Sequence, residues 1–220
     1  MVRIESVQRG VRGIVRLAAE GGSLFRFREP YLEAALAEDS LEYGDTAAGE
    51  VPDRFEAGGM LPESALAAAC EASQAEEKAV ALLARAEQTR AGLERKLGAK
   101  KLPALAIRRA LDFLESEGLL SDYRYAMAWS RQRMRRRAEG PTSLATALAF
   151  RGVARDAARQ AVGDRCSGEA GREALESALR LTMHDTCGDI VEARRRLRSL
   201  GWKSGDIDDA IDSLMADNPG

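Results

Sequence analysis

The chain has 220 residues, of which 45% are apolar, 31% are charged and 5% are aromatic, and its formal net charge is −2. This balance is typical of a soluble globular protein, and the few aromatic residues favour helices packed through Leu and Ala over a large sheet. No apolar run approaches the roughly 18 residues of a membrane span, and Arg3, Arg9, Arg12 and Arg16 interrupt the start too often for a signal peptide. We therefore expect a cytoplasmic protein without membrane contact.

Residues 1–60 are predicted to form an N-terminal module that differs from the rest of the chain. Two β-rich runs, 11–17 and 24–27, flank the turn-forming sequence Glu-Gly-Gly-Ser, which predicts a β-hairpin. Residues 31–41 return to helical spacing and predict a short helix. Because an isolated hairpin is marginally stable, we expect it to pack on this helix or on the first repeat. Residues 43–76, rich in Gly, Ala and Glu, are predicted to be a partly ordered connector.

One apolar pattern occurs three times in the remaining chain. In each copy two apolar residues lie four positions apart, a third follows ten residues later, and a fourth lies four beyond it. The copies are Leu93, Leu97, Ile107 and Leu111; Leu144, Leu148, Ala158 and Val162; and Ala193, Leu197, Ile207 and Ile211. A spacing of four places both residues on one helical face, so each copy predicts two helices joined by a tight connection.

A further helix is predicted before each pair, at about 77–88, 122–137 and 169–182, so that each unit has three helices. The fold class that follows is mainly α, a tandem array of three three-helix repeats preceded by the hairpin-containing module. The repeats are predicted to span residues 77–120, 121–165 and 168–216.

Positive charge is concentrated in the middle of the chain. Residues 78–165 hold 19 basic and 9 acidic residues, a balance of +10, whereas residues 1–77 have a balance of −8 and residues 166–220 one of −4. A positive middle of this kind can meet a polyanion or the acidic surface of a partner. Arginines near the end of a helix also suit the helix dipole, and a charge run is often only a solvated face.

The candidate filament- or nucleic-acid-binding residues are arginines of this segment. Five fall within seven residues, too many to share one helical face, and the others lie near the start of the same helix or at the following turn. An arginine fork pairs with phosphate or carboxylate through two hydrogen bonds. The set comprises Arg124, Arg131, Arg133, Arg135, Arg136, Arg137, Arg151 and Arg155.

Aromatic residues are interleaved with these arginines. Tyr125 and Trp129 lie four apart, which favours core packing over base stacking, and Tyr123 is expected to be the exposed ring. Gly140-Pro141 is typical of a helix start, because proline at the first helical position lacks an N–H that would be unpaired there. The same helix start could bind an anion.

No pattern in the sequence points to catalysis, a cofactor or a metal. The three cysteines, Cys70, Cys166 and Cys187, form no close pair and are expected to be reduced thiols. His184 is the only histidine, so any catalytic triad or zinc site would depend on it. Phosphate-loop and dinucleotide-binding patterns do not occur. We therefore expect a non-enzymatic protein with no cofactor and no metal.

The middle of the chain resembles the central repeat of the RecX recombination regulators. The resemblance lies in Asp122-Tyr-Arg-Tyr-Ala126, the arginines of 131–137, Gly140-Pro141, and the pattern Leu144-xxx-Leu148-xxx-Gly152-Val153. Residues 83–120 and 173–214 are similar to the first and third repeats of that family. It implies a regulator of DNA recombination and repair, connected with the SOS response, that binds the RecA recombinase filament and inhibits filament extension, strand exchange and ATP hydrolysis.

The partners implied are the RecA filament and single-stranded DNA, with double-stranded DNA bound weakly if at all, and the protein is expected to be a monomer. A second function stays open, because three-helix units also occur in helix-turn-helix proteins that act directly on duplex DNA. Such a protein would bind a defined site, usually as a dimer, without any filament.

Overall fold

A computed structural model describes residues 1–42 and 56–217 of the chain. The predicted fold class is confirmed: the protein is mainly α-helical and carries a small antiparallel sheet at its N-terminus. The chain divides into two compact units. The first comprises Met1–Ala86 with Leu93–Leu119, and the second comprises Glu87–Gly92 with Leu120–Gly220.

The first unit begins with the sheet. Its strands are β1 (Val2–Arg9), β2 (Ile14–Ala19), β3 (Ser23–Arg28) and β4 (Met60–Leu61), paired antiparallel in the order β3-β2-β1-β4. The predicted hairpin is confirmed as β2 and β3, which join through a turn with positive φ at Gly21 and Gly22. The strands β1 and β4 were not predicted. Helix α1 (Glu29–Glu42) follows directly and buries Leu32 in the core beneath the sheet.

The next helix corrects the prediction of a connector over 43–76 and a helix over 77–88. Residues 43–55 of that connector lie outside the described residues, and helix α2 runs from Glu63 to Leu83. Ala65, Ala69 and Ala72 of α2 are buried in the same core as the inner residues of the sheet, and this packing holds the Ala-rich helix in place. Helices α3 (Arg90–Gly98) and α4 (Ala104–Ser116) follow, in agreement with the first copy of the pattern.

A buried ion pair ties the sheet to α2. The carboxylate of Glu76, 7% exposed, accepts two hydrogen bonds from the guanidinium of Arg28, both at 2.6 Å. Tyr31 donates its hydroxyl to the same carboxylate at 3.0 Å. Both oxygens of the Glu76 carboxylate therefore accept hydrogen bonds, and a buried charge is tolerated when it is paired and hydrogen-bonded in this way.

The second unit contains the other six helices described. They are α5 (Asp122–Arg137), α6 (Pro141–Phe150), α7 (Arg155–Cys166), α8 (Gly168–Asp185), α9 (Ile190–Ser199) and α10 (Ser204–Asp217). All twelve positions of the three-fold apolar pattern are buried, from fully buried Leu93 to Val162 at 8% exposure. The periodicity of the sequence therefore identifies the core positions correctly, whereas the repeat boundaries stay a prediction.

The second and third predicted repeats meet through two glycines. The backbone N–H of Gly140 donates to the carbonyl of Leu200 at 2.8 Å, and that of Thr142 donates to Gly201 at 3.2 Å. A Cβ on Gly140 would lie 2.6 Å from the backbone nitrogen of Trp202. The indole of Trp202 donates a hydrogen bond to the carbonyl of Ala138 at 2.8 Å. The start of α6 therefore packs against the end of α9 and is hydrogen-bonded to it.

Candidate nucleic-acid-binding surface

The arginine-rich surface is built on α5. Ser121 caps its first turn by accepting a hydrogen bond from Arg124 N at 3.2 Å, and Ala138 ends it in the left-handed conformation, with φ 54°. Buried Ala126 and Ser130 mark the side that packs on the core of the second unit. The exposed side of α5 carries most of its arginines.

Four of the predicted arginines are exposed at the C-terminal half of α5: Arg131, Arg135, Arg136 and Arg137. Three of them, Arg131, Arg135 and Arg136, follow helical spacing with Ala128 and line an open hollow of about 400 Å³. None of the four has a carboxylate within 4.0 Å among residues 1–42 and 56–217. Their positive charges are therefore uncompensated within this part of the chain.

Arg133 differs from its neighbours in sequence because it is bound by a carboxylate. Its Nε donates to Glu139 at 2.8 Å, and a terminal nitrogen donates to the second oxygen of the same carboxylate. Glu139 is only 8% exposed, and the Arg133 guanidinium lies 5.3 Å from the centroid of the Trp129 ring. Arg133 thus joins the end of α5 to the following loop, and removing it would leave a buried carboxylate unpaired.

Of the remaining predicted arginines, two contact other side chains of the protein and one is exposed. Arg124 forms an ion pair with Glu87 at 2.9 Å. Arg151 lies over the Trp129 ring, with its guanidinium carbon 4.4 Å from the centroid, a cation–π distance. Arg155 is exposed at the first residue of α7. The structure therefore brings Arg133 and Arg151 together on one indole, a grouping that their separation in sequence did not indicate.

Asp122 was part of the sequence pattern, but its role was not predicted. One carboxylate oxygen accepts from the backbone N–H of Arg90 at 2.8 Å, at the start of α3, and the other accepts from Ala154 at 2.7 Å, just before α7. Beside it, the hydroxyl of Thr89 accepts from Gly92 N at 2.9 Å. Asp122 therefore satisfies donors at two helix starts at once.

The aromatic residues are placed partly as predicted. Tyr125 and Trp129 are half-buried against the second-repeat core, in agreement with the prediction. The prediction that Tyr123 is the exposed ring was wrong: it is half-buried, and its hydroxyl donates to Asp164 at 2.9 Å, a hydrogen bond that raises the pKa of Tyr123. Among the aromatic residues that the structure describes, the exposed ring is that of Phe150, 87% exposed at the end of α6, which sequence reasoning missed.

The start of α6 is not open to an anion. Its backbone donors at Gly140 and Thr142 are already bonded to Leu200 and Gly201, so carbonyl oxygens occupy the place that a phosphate would take. Elsewhere, His184 is 88% exposed beside Asp185. Within the described residues, no group of three or more acidic, His or Cys side chains could hold a metal, and no helix is long and apolar enough to cross a membrane.

These features define a class: a helical-repeat protein with an N-terminal sheet and a basic face on the first helix of its second repeat. Residues 121–162 match the family model described as RecX, second three-helix domain. A RecX regulatory protein of Neisseria meningitidis serogroup C is 29% identical over 131 residues, which cover 60% of this chain and 82% of the relative. One of Neisseria gonorrhoeae is 28% identical over the same shares of both chains.

Solved structures agree with this likeness. A crystal structure of regulatory protein RecX superposes with a TM-score of 0.62 at 16% identity, covering 96% of this chain and all of the other. The RecX of Lactobacillus salivarius gives a TM-score of 0.57 at 19% identity, over 66% of this chain and 96% of the other. In its second three-helix domain, in sequence and in fold, the chain is similar to RecX regulatory proteins.

Proposed function

We infer that this protein regulates DNA recombination and repair by binding the RecA recombinase filament. Bound there, it limits filament extension, strand exchange and the coupled hydrolysis of ATP. It acts in the cytoplasm as a monomeric binding protein, without an enzymatic activity or a cofactor of its own. Similarity to relatives that are named regulatory proteins supports a regulatory role.

The observation that carries the proposal is the set of four uncompensated arginines on α5. Arg131 and Arg135 are spaced i, i+4, so they repel each other on the free protein. A phosphate backbone would relieve this repulsion and would accept paired hydrogen bonds from each guanidinium. We assign this face to the DNA strand within a recombinase filament, and single-stranded DNA is the expected nucleic-acid partner.

The third repeat supports a different contact. Three of its four arginines on α9 are already paired with carboxylates of the same unit: Arg194 with Asp208 at 3.0 Å, Arg195 with Glu192 at 2.8 Å and Arg196 with Asp185 at 3.7 Å. Residues 166–220 carry 7 basic and 11 acidic residues, a balance of −4. We assign this repeat to a protein surface of the filament, because phosphate would be repelled by such a balance.

The first experiment measures RecA-catalysed, single-strand-dependent ATP hydrolysis across a concentration series of this protein. We expect hydrolysis to fall and filaments seen by electron microscopy to shorten as the protein is added. A several-fold molar excess that changes neither quantity would refute the proposal. Binding to one defined duplex site as a dimer, without recombinase, would favour the helix-turn-helix function instead.

The second experiment tests the arginine face with a charge-matched control. The variant Arg131→Ala/Arg135→Ala/Arg136→Ala removes three uncompensated positive charges. The control replaces three arginines paired with carboxylates of their own helices, Arg159, Arg180 and Arg195, by Ala. Both variants lose three charges, so a difference between them reports position and not net charge.

For single strands, each lost phosphate contact lowers the slope of log K against log salt by about 0.7, so the first variant should lose about 2. The control should keep nearly the wild-type slope, and circular dichroism should be unchanged in both. Equal slopes for all three proteins would show that the arginine face of α5 is only solvated.

A further inference from the structure

Phe150 is the most exposed large apolar side chain among those described, with 87% of its surface in water. It is the last residue of α6, on the side away from Leu144 and Leu148, which are fully buried. A single exposed apolar residue is ordinary on a protein surface. The surroundings of Phe150 are what distinguish it from the others.

The ring borders a hollow of about 320 Å³ between α6 and the end of α5. On α6 the lining residues Ser143, Thr146, Ala147 and Phe150 follow helical spacing along one face. On the other side are Arg133 and Glu139. Glu139 is the one carboxylate among the lining residues, and its charge is balanced by the two hydrogen bonds from Arg133.

Two further arginines neighbour residues that line this hollow. Arg151 directly follows Phe150 and lies on the Trp129 ring at 4.4 Å, while Arg133 lies near the same ring at 5.3 Å. Arg137 is one helical turn beyond Arg133 and is exposed. Because Trp129 carries two guanidinium groups, its ring orients arginines, and the flat surface open to a ligand is that of Phe150.

We propose that Phe150 is a stacking platform for an unpaired base of single-stranded nucleic acid, whose backbone runs along Arg151 and Arg137. This inference rests on the proposed function and specifies where a base, as opposed to a phosphate, is bound. An exposed aromatic ring beside arginines is the combination that single strands require, since every base has a face that can stack. A duplex has its base faces already stacked and cannot use the ring in this way.

The test compares two oligonucleotides of equal length and charge, a 20-residue oligothymidylate and a 20-residue abasic strand. The wild-type protein should bind oligothymidylate more tightly, and Phe150→Ala should lose roughly 5- to 150-fold of that affinity, the range for one stacked base. Binding of the abasic strand and the salt dependence should be unchanged, because no phosphate contact is removed.

Three further variants serve as controls. Phe150→Tyr keeps a planar ring and should bind as the wild type does. Phe150→Leu keeps apolar character without a flat ring and should behave as the Ala variant does. Val191→Ala shortens another apolar side chain of the same unit, 78% exposed on α9, and should have no effect.

The outcomes separate this inference from the function on which it rests. If Phe150→Ala binds oligothymidylate as the wild type does, or if the wild type does not distinguish the two strands, Phe150 is not a stacking platform. Arginine-dependent binding of the abasic strand would in that case still support the arginine face. If neither strand binds at low salt, both proposals fail. If Phe150→Ala weakens inhibition of the recombinase but leaves binding of single strands unchanged, the ring contacts the recombinase and not a base, which would overturn the inference.

Discussion

Gly140 offers a direct test of how the second and third repeats are joined. In Gly140→Ala the added Cβ would lie 2.6 Å from Trp202 N and 2.7 Å from the carbonyl carbon of Gly201. Both are backbone atoms, so the two segments must separate by roughly 0.8 Å to reach an ordinary contact. The hydrogen bond from Gly140 to Leu200, now 2.8 Å, would stretch beyond the usual limit.

The expected loss of stability follows from these two effects. Overpacking costs typically about 1–3 kcal/mol, and the weakened hydrogen bond adds about 0.5–1.5 kcal/mol, so we expect a total of about 1.5–4.5 kcal/mol. Gly163→Ala is the matched control, because this residue is inside α7 and no atom lies within 4 Å of the added Cβ. That change should stabilise the protein by about 0.5–1 kcal/mol.

The assay is urea unfolding followed by circular dichroism and by tryptophan emission. A Trp129→Phe background leaves Trp202 as the sole reporter, and Trp202 is only 5% exposed. In Gly140→Ala its emission should shift to longer wavelength at a lower urea concentration than in the control. An unfolding midpoint equal to that of the parent protein would refute the proposed tight fit.

Asp122→Ala should cost about 1–3 kcal/mol in urea unfolding, because two backbone donors at helix starts lose their acceptor, and Asp122→Asn should cost less. A chain ending at Ser167 should keep most affinity for single-stranded DNA but lose most inhibition of the recombinase. Its circular dichroism must show that the remaining helices are folded, and inhibition equal to that of the full chain would contradict this division of roles. Burial raises the pKa of the Cys166 thiol to about 11 and disfavours the thiolate. At pH 8.5, iodoacetamide should therefore modify it roughly 100-fold more slowly than an ordinary thiol, as followed by mass spectrometry. Equal rates would show that the thiol is not held in an apolar environment.

The repeat helices could be predicted because their signals are local. Leu144 and Leu148 share a face by spacing alone, and Gly140-Pro141 marks a start that needs no partner to be recognised. Helix α2 was missed because its alanines were interpreted as part of a connector, although those in its first half are buried in the core beneath the sheet. The strand β4 has two residues and pairs with β1 across nearly sixty positions, so no local pattern reveals it.

The candidate surface shows the same limit at the level of single residues. Arg133 and Arg135 look alike in the sequence, yet one is bound by Glu139 and the other is exposed without a carboxylate nearby in the described chain. That difference depends on how the loop after α5 turns, which involves contacts from the third repeat. Phe150 was overlooked because it lies outside the apolar pattern, and residues outside a core pattern are where binding surfaces occur.

The contact between the start of α6 and the end of α9 forms late in the synthesis of the chain. The indole of Trp202 and its acceptor at Ala138 are 64 residues apart. At about 5–20 residues per second, the ribosome needs roughly 3–13 s to add that stretch. Throughout this interval the backbone N–H groups at the start of α6 lack their acceptors at Leu200 and Gly201. Ala138 also lacks its contact with the indole of Trp202. A chaperone that recognises exposed apolar segments would therefore meet this chain most readily while its last repeat is being synthesised.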